Sequence, residues 1–235
     1  MTAAVEQQPE QSAGKRRLRV FLMYPAAAHC LGVVLIPLLS TIHLTANTRV
    51  SPGFALIDQS GATITNEDLR GDIVVIGLAS LDCDDTCEAT LGAMKQAAQQ
   101  FSNASDDPDQ PDIRLMTIIV DPVEQPNVLE SFAEQHDLVE DRWSIVSGSE
   151  SVLRAVVGSG FEVYLAKRGD GALVHDPAVF LTDHAGFLRA EYRTGSPRAA
   201  TISEDIDRVL AEANAGKVGG ILYNAAHSLS LSCGG

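Results

Sequence analysis

The chain has 235 residues, 45% of them hydrophobic, a length and balance that give one substantial globular domain plus an appendage and exclude wholesale disorder. The formal net charge is −14; four of 17 basic and two of 31 acidic residues lie in the first 20 positions, which leaves the remainder at −16. A body this acidic is repelled by phosphate backbones, which excludes nucleic acid as a partner and favours cations or basic protein surfaces.

Residues 1–19 form a basic N-terminus carrying Lys15, Arg16, Arg17 and Arg19. Residues 20–48, VFLMYPAAAHCLGVVLIPLLSTIHLTANT, then carry no formal charge. A helix needs about 20 apolar residues to span a bilayer core, and Pro25 and Pro37 are tolerated inside such a helix. Residues 20–46 are therefore expected to be a single transmembrane anchor. Positive charge on its N-terminal side keeps that end in the cytoplasm and puts the rest of the chain outside the inner membrane, in the periplasm or its equivalent. The alternative is a signal peptide cleaved near Ala46. Arg16-Arg17 fits a twin-arginine signal poorly, and Cys30, preceded by His29 and followed by more apolar residues, fits a lipoprotein cysteine poorly. His43 falls in the same span.

The exported part, residues 50–215, alternates strands and helices. GFALIDQSG reads as a strand and turn, and NEDLRG as one helical turn capped by Asn66. DIVVIGLAS, residues 72–80, is an unbroken apolar run, the pattern of a strand buried on both faces. Leu91, Met94, Ala98 and Phe101 follow at helical spacing, with Asp85 and Glu88 available to cap the first turn. After the loop SNASDDPDQPD comes the strand IRLMTIIVD, then helices at 127–137 and 150–157. Strands are expected at FEVYLAK, AVFLTD and FLRAEY, and a last helix from Thr201, with Glu204 completing a capping box, to about Ala213. The order is that of an α/β layer fold with a mixed sheet. Residues 216–235 form an apolar tail of unknown role containing His227 and Cys233.

Where the central strand turns into its helix the sequence reads LASLDCDDTCEAT, with Cys83 and Cys87 separated by three residues. Outside the cytoplasm such a pair is a disulfide, a metal site, or a pair that alternates between the two. A helix N-terminus favours thiolate, whereas Asp82, Asp84 and Asp85 oppose it unless a cation is bound. Two soft thiolates bind copper or zinc but leave the site open for a third ligand. Among the histidines, His136 follows a helical stretch and reads as a solvated surface residue. His175 and His184 flank the strand AVFLTD, so only one of them reaches the cysteine loop, and spacing alone favours His175 slightly.

The stretch from Gly53 to Ala213 resembles the Sco/SenC family of exported, thioredoxin-like copper proteins. The motifs that carry the likeness are FALIDQSGATITNEDLRGDIVVIGLAS; the C-x-D-x-C loop CDDTC; IIVDPVEQPNVLESFAEQH with Asp121, Pro122 and Pro126; DRWSIVSGSESVLRAV with Trp143 and Gly148; and VHDPAVFLTDHAGFL with His175. The resemblance implies a thioredoxin-like mixed sheet flanked by helices. It also implies one copper ion, Cu(I) or Cu(II), held by Cys83, Cys87 and His175, with Asp85 orienting the loop behind them.

It implies as well a metallochaperone for the dinuclear copper centre of a haem–copper cytochrome oxidase, whose partners are the copper-bearing oxidase subunit or another copper chaperone. The sequence departs from the family at Asp84 and Glu88, where proline usually follows each cysteine, and at Asp176, where Ser or Thr usually follows the histidine. The alternative is a thiol–disulfide oxidoreductase using Cys83 and Cys87 as its redox pair, although thioredoxin's motif has one residue fewer between the thiols. A thiol peroxidase is a weaker fit. Ser80-x-x-Cys83 matches part of that pattern, but Ile76 stands where its proline belongs.

Overall fold

The computed structural model describes residues 49–101, 110–138, 142–169, 173–193 and 197–214. The expected anchor and the 216–235 tail, with Cys30, His29, His43, His227 and Cys233, lie outside them. Among the described residues no helix is long and apolar enough to cross a membrane.

Strands β1 (Arg49–Val50), β2 (Ala55–Asp58), β3 (Thr63–Thr65) and β4 (Ile73–Ala79) precede the first helix, α1 (Asp85–Gln99). There follow β5 (Ile113–Ile119), α2 (Pro126–Gln135), β6 (Trp143–Ser147) and α3 (Glu150–Leu153), which runs into a π-helical stretch over Arg154–Gly160. The chain continues with β7 (Leu165–Lys167), β8 (Leu173–His175), β9 (Val179–Thr182), β10 (Phe187–Tyr192) and α4, residues 199–214. Eight strands form one mixed sheet in the order β1-β10-β9-β4-β5-β6-β2-β3, while β7 and β8 form a separate antiparallel pair. β4, β5 and β6 run parallel in the middle, and β9 pairs antiparallel to β4.

All seven residues of β4 are buried, and they divide by parity between two cores. Ile73, Val75 and Ala79 face the layer containing α1, α2 and α4, against Leu91, Met94, Leu129, Phe132 and Ile206. Val74, Ile76 and Leu78 face the other layer, against Val156, Val157, Phe161 and Phe180. This period-two division of an unbroken apolar run is what a central strand covered on both faces requires. Gly77 is the gap in the first set, because a Cβ there would lie 2.4 Å from the Met94 sulfur. Its absence lets α1 sit close on β4. The buried Trp143 indole donates to Thr117 Oγ1 at 2.9 Å and joins β6 to β5.

Several local expectations are corrected. NEDLRG is a turn and not a helical one: the Asp68 carboxylate accepts from the Thr65 amide and hydroxyl, while the Asn66 side chain accepts from the Phe54 amide. Those two Thr65 bonds hold the Asp68 carboxyl below its ordinary range. In FEVYLAK only Leu165–Lys167 is strand, because the π-helix extends to Gly160 and uses the preceding residues for its exit. Helix α4 begins before Thr201, whose amide already donates to the Arg198 carbonyl, so Thr201 is not its cap.

Candidate metal and redox site

The loop from Ser80 to Asp84 joins the C-terminal end of β4 to α1 and is tied at three points. The Asp121 carboxylate, just past β5, accepts the Leu81 amide at 2.7 Å. The Ser80 hydroxyl donates to the Asp82 carbonyl at 3.0 Å. Asp84 is the N-cap of α1, its side chain accepting from the amides of Thr86 at 3.0 Å and Cys87 at 2.9 Å. Cap chemistry had pointed to Asp85 and Glu88; the residue with extended φ/ψ in front of the first turn is Asp84. Asp85 is exposed at the first helical position, where its charge favours the positive end of the helix.

Cys83 and Cys87 are joined in a disulfide, with Cα atoms 5.3 Å apart. Cys87 is buried at the third position of α1 and Cys83 is half-buried in the loop. A disulfide at the N-terminus of a helix is placed for reduction, since the thiolate leaving from Cys87 meets the helix's positive end.

On one side of the disulfide is a cleft of about 430 Å³ lined by Cys87, Asp82, Asp84, Asp121, Arg168 and His175, among others. His175 ends β8, paired with Leu165 across the short hairpin. Its Nδ1 lies 2.9 Å from the Asp176 carbonyl oxygen. A carbonyl only accepts, so Nδ1 is the donor of this contact, and in the neutral ring Nε2 is then the nitrogen open to a metal. The other candidate, His184, lies in the turn before β10, where its carbonyl accepts from the Gly71 amide. Cys87 and His175 both line the cleft, and His184 does not.

Near Cys83, and not among the cleft's lining residues, stands a histidine expected from the sequence at the surface. The His136 side chain is only 5% exposed, and its Nδ1 lies 2.8 Å from a Glu88 carboxylate oxygen. Its ring packs on Phe132, with centroids 4.3 Å apart. The signal was present in the sequence: His136 falls four residues after Phe132 and seven after Leu129, on the buried stripe of α2. Ligand atoms of Cys83, Glu88 and His136 all lie within 4.8 Å of one another.

A family model described as SCO1/SenC matches residues 43–211, most of the chain and all of the site. The chain belongs to the SCO1/SenC family. A SCO2-like protein of Rickettsia felis is 25% identical over 160 residues, covering 65% of this chain and 74% of its own length. The fold matches that of Arabidopsis thaliana ScoI solved with copper bound, with TM-score 0.59, 17% identity and coverage of 70% of this chain and 99% of that one. It also matches a SCO1/SenC family lipoprotein of Bacillus anthracis, with TM-score 0.61, 20% identity and coverage of 72% and 98%. The architecture of the described domain is accordingly thioredoxin-like.

Proposed function

We propose that this Sco/SenC protein binds one copper ion through Cys83, Cys87 and His175 and delivers it to the copper-bearing subunit of a haem–copper cytochrome oxidase during assembly of its dinuclear centre. The observation that carries the reading is the shared cleft: His175 and Cys87 line the same space. Two thiolates and one imidazole suit copper in either oxidation state. Copper and the disulfide use the same sulfurs, so loading follows reduction. A dithiol gives two electrons and two protons to the Cys83–Cys87 bond, and both thiol protons leave as the sulfurs take the metal. The oxidase target comes from the family likeness. Asp121 and Asp84 tie the loop by hydrogen bonds, the task assigned to Asp85 by the resemblance.

The disulfide supports a second reading, a thiol–disulfide oxidoreductase that reduces cysteines of the oxidase subunit. Rescue of a null strain separates the two. Restoration of oxidase activity by added copper supports copper supply, whereas restoration only by a chemical reductant supports the reductase.

We also propose that residues 20–46 anchor the protein in the inner membrane with the domain outside the cytoplasm. The support is the charge asymmetry of the sequence around the apolar run.

A further inference from the structure

We infer that Cys83, Glu88 and His136 form a second cation site, distinct from the cleft of His175, which takes a borderline divalent ion of the zinc class once the disulfide is reduced. A thiolate, a carboxylate and an imidazole are the donors such an ion takes. The ligand atoms lie within 4.8 Å of one another. Zinc–ligand bonds of about 2.0–2.3 Å put neighbouring ligands roughly 3.5 Å apart, so the set must contract by about 1 Å. Two of its members are free to do so. Glu88 is exposed, and reduction releases the Cys83 sulfur from Cys87.

His136 supplies a second observation: its side chain is only 5% exposed, so the nitrogen that meets Glu88 is largely shielded from water, and an ion held there with the Cys83 sulfur would be shielded too. The Glu88–His136 contact also clamps the start of α1 to the end of α2, beside the Lys95–Asp137 pair.

Binding is balanced without redox chemistry. Cys83 loses its thiol proton to solvent as the S–metal bond forms, while His136 binds neutral and Glu88 as carboxylate. Because Cys83 also belongs to the proposed copper set, the two metals exclude each other; that consequence rests on the copper reading, whereas the site itself does not.

The test uses the full chain, purified in detergent, reduced and anaerobic, with Co(II) as spectroscopic probe and Zn(II) as competitor. One Co(II) per chain is expected, with a single-thiolate charge-transfer band that zinc abolishes. His175→Asn and Cys87→Ser should keep the band, while His136→Asn and Glu88→Gln should weaken binding on the order of 10–100-fold. Glu88→Gln leaves the helix backbone intact and so guards against a folding defect in the histidine variant. The inference is overturned if both variants bind Co(II) like the parent, or if the band is lost with His175 or Cys87. Copper binding lost in His175→Ala but kept in His136→Asn would support the copper reading separately, whichever way the Co(II) result falls.

Discussion

Replacing Asp84 by Ala removes the acceptor for the amides of Thr86 and Cys87, both within 3.0 Å of its carboxylate. Loss of an N-cap costs about 1 kcal/mol, within a range of roughly 0.5–2. Loss of a negative charge from a helix N-terminus adds about 0.3–1 kcal/mol. The sum, about 1–2 kcal/mol, corresponds to roughly 2–8 °C in Tm for a domain of this size. Asp84→Asn keeps a capping acceptor and loses only the charge, so it should fall between Ala and the parent. Thermal and denaturant unfolding of the three proteins, each oxidised and reduced, measures this directly. The effect on α1 should also reach the cysteine loop, because Cys87 sits in the turn the cap closes, so on the proposed copper reading the Ala variant should bind copper more weakly than the Asn variant. If Ala and Asn are equally stable, the cap hydrogen bonds contribute nothing and the reasoning fails. Glu88→Pro should be worse than Asp84→Pro: the Glu88 amide donates to the Asp84 carbonyl at 2.9 Å, a bond proline deletes, while the φ of −84° at Asp84 already suits a proline.

Other expectations follow from the packing and the titrating groups. Gly77→Ala brings a Cβ against the buried Met94 sulfur and should cost about 1–3 kcal/mol by overpacking, read as a lower denaturant midpoint with unchanged slope. Burial, and then the hydrogen bond to Asp205 at 2.6 Å, raise the Tyr192 pKa well above its ordinary value. The folded chain therefore keeps that proton after the unfolded chain has lost it. The stabilisation is complete below about pH 10 and falls as pH rises beyond that, and Tyr192→Phe should flatten this alkaline loss of stability. A reporter active only outside the cytoplasm, fused after residue 215, should be active and stay with the membrane fraction. Its recovery as a soluble exported protein beginning near Asn47 would show a cleaved signal instead.

Much of the domain was legible because its elements announce themselves by period. β4 is an unbroken apolar run, and α1 repeats Leu91, Met94 and Ala98 at helical spacing, so strand, helix and the cysteine loop between them were readable directly. Boundaries set by tertiary contacts were less so. Asn66 caps nothing because the Phe54 amide takes its side-chain oxygen, and FEVYLAK shrinks because a π-helix consumes its approach. The site divides in the same way. Cys83, Cys87 and His175 are sequence motifs, whereas the roles of Asp84 and Asp121 depend on which amide each carboxylate meets. His136 was misread because a polar residue just beyond a helix was taken as surface, although its place on the Leu129–Phe132 stripe marked it as buried. The departures from the family at Asp84 and Glu88 have local structural roles: one caps the helix, and the other holds His136.

The central claim is tested most directly by adding copper anaerobically to the reduced protein and determining stoichiometry and ligands by absorption and X-ray spectroscopy, with His175→Ala and His184→Ala beside the parent. One copper per chain is expected, bound by two sulfurs and an imidazole. His175→Ala should weaken Cu(II) binding strongly and Cu(I) binding less, since both thiolates remain, and His184→Ala should change neither. Loss of copper from the His184 variant with retention in the His175 variant would contradict the ligand assignment and the function built on it.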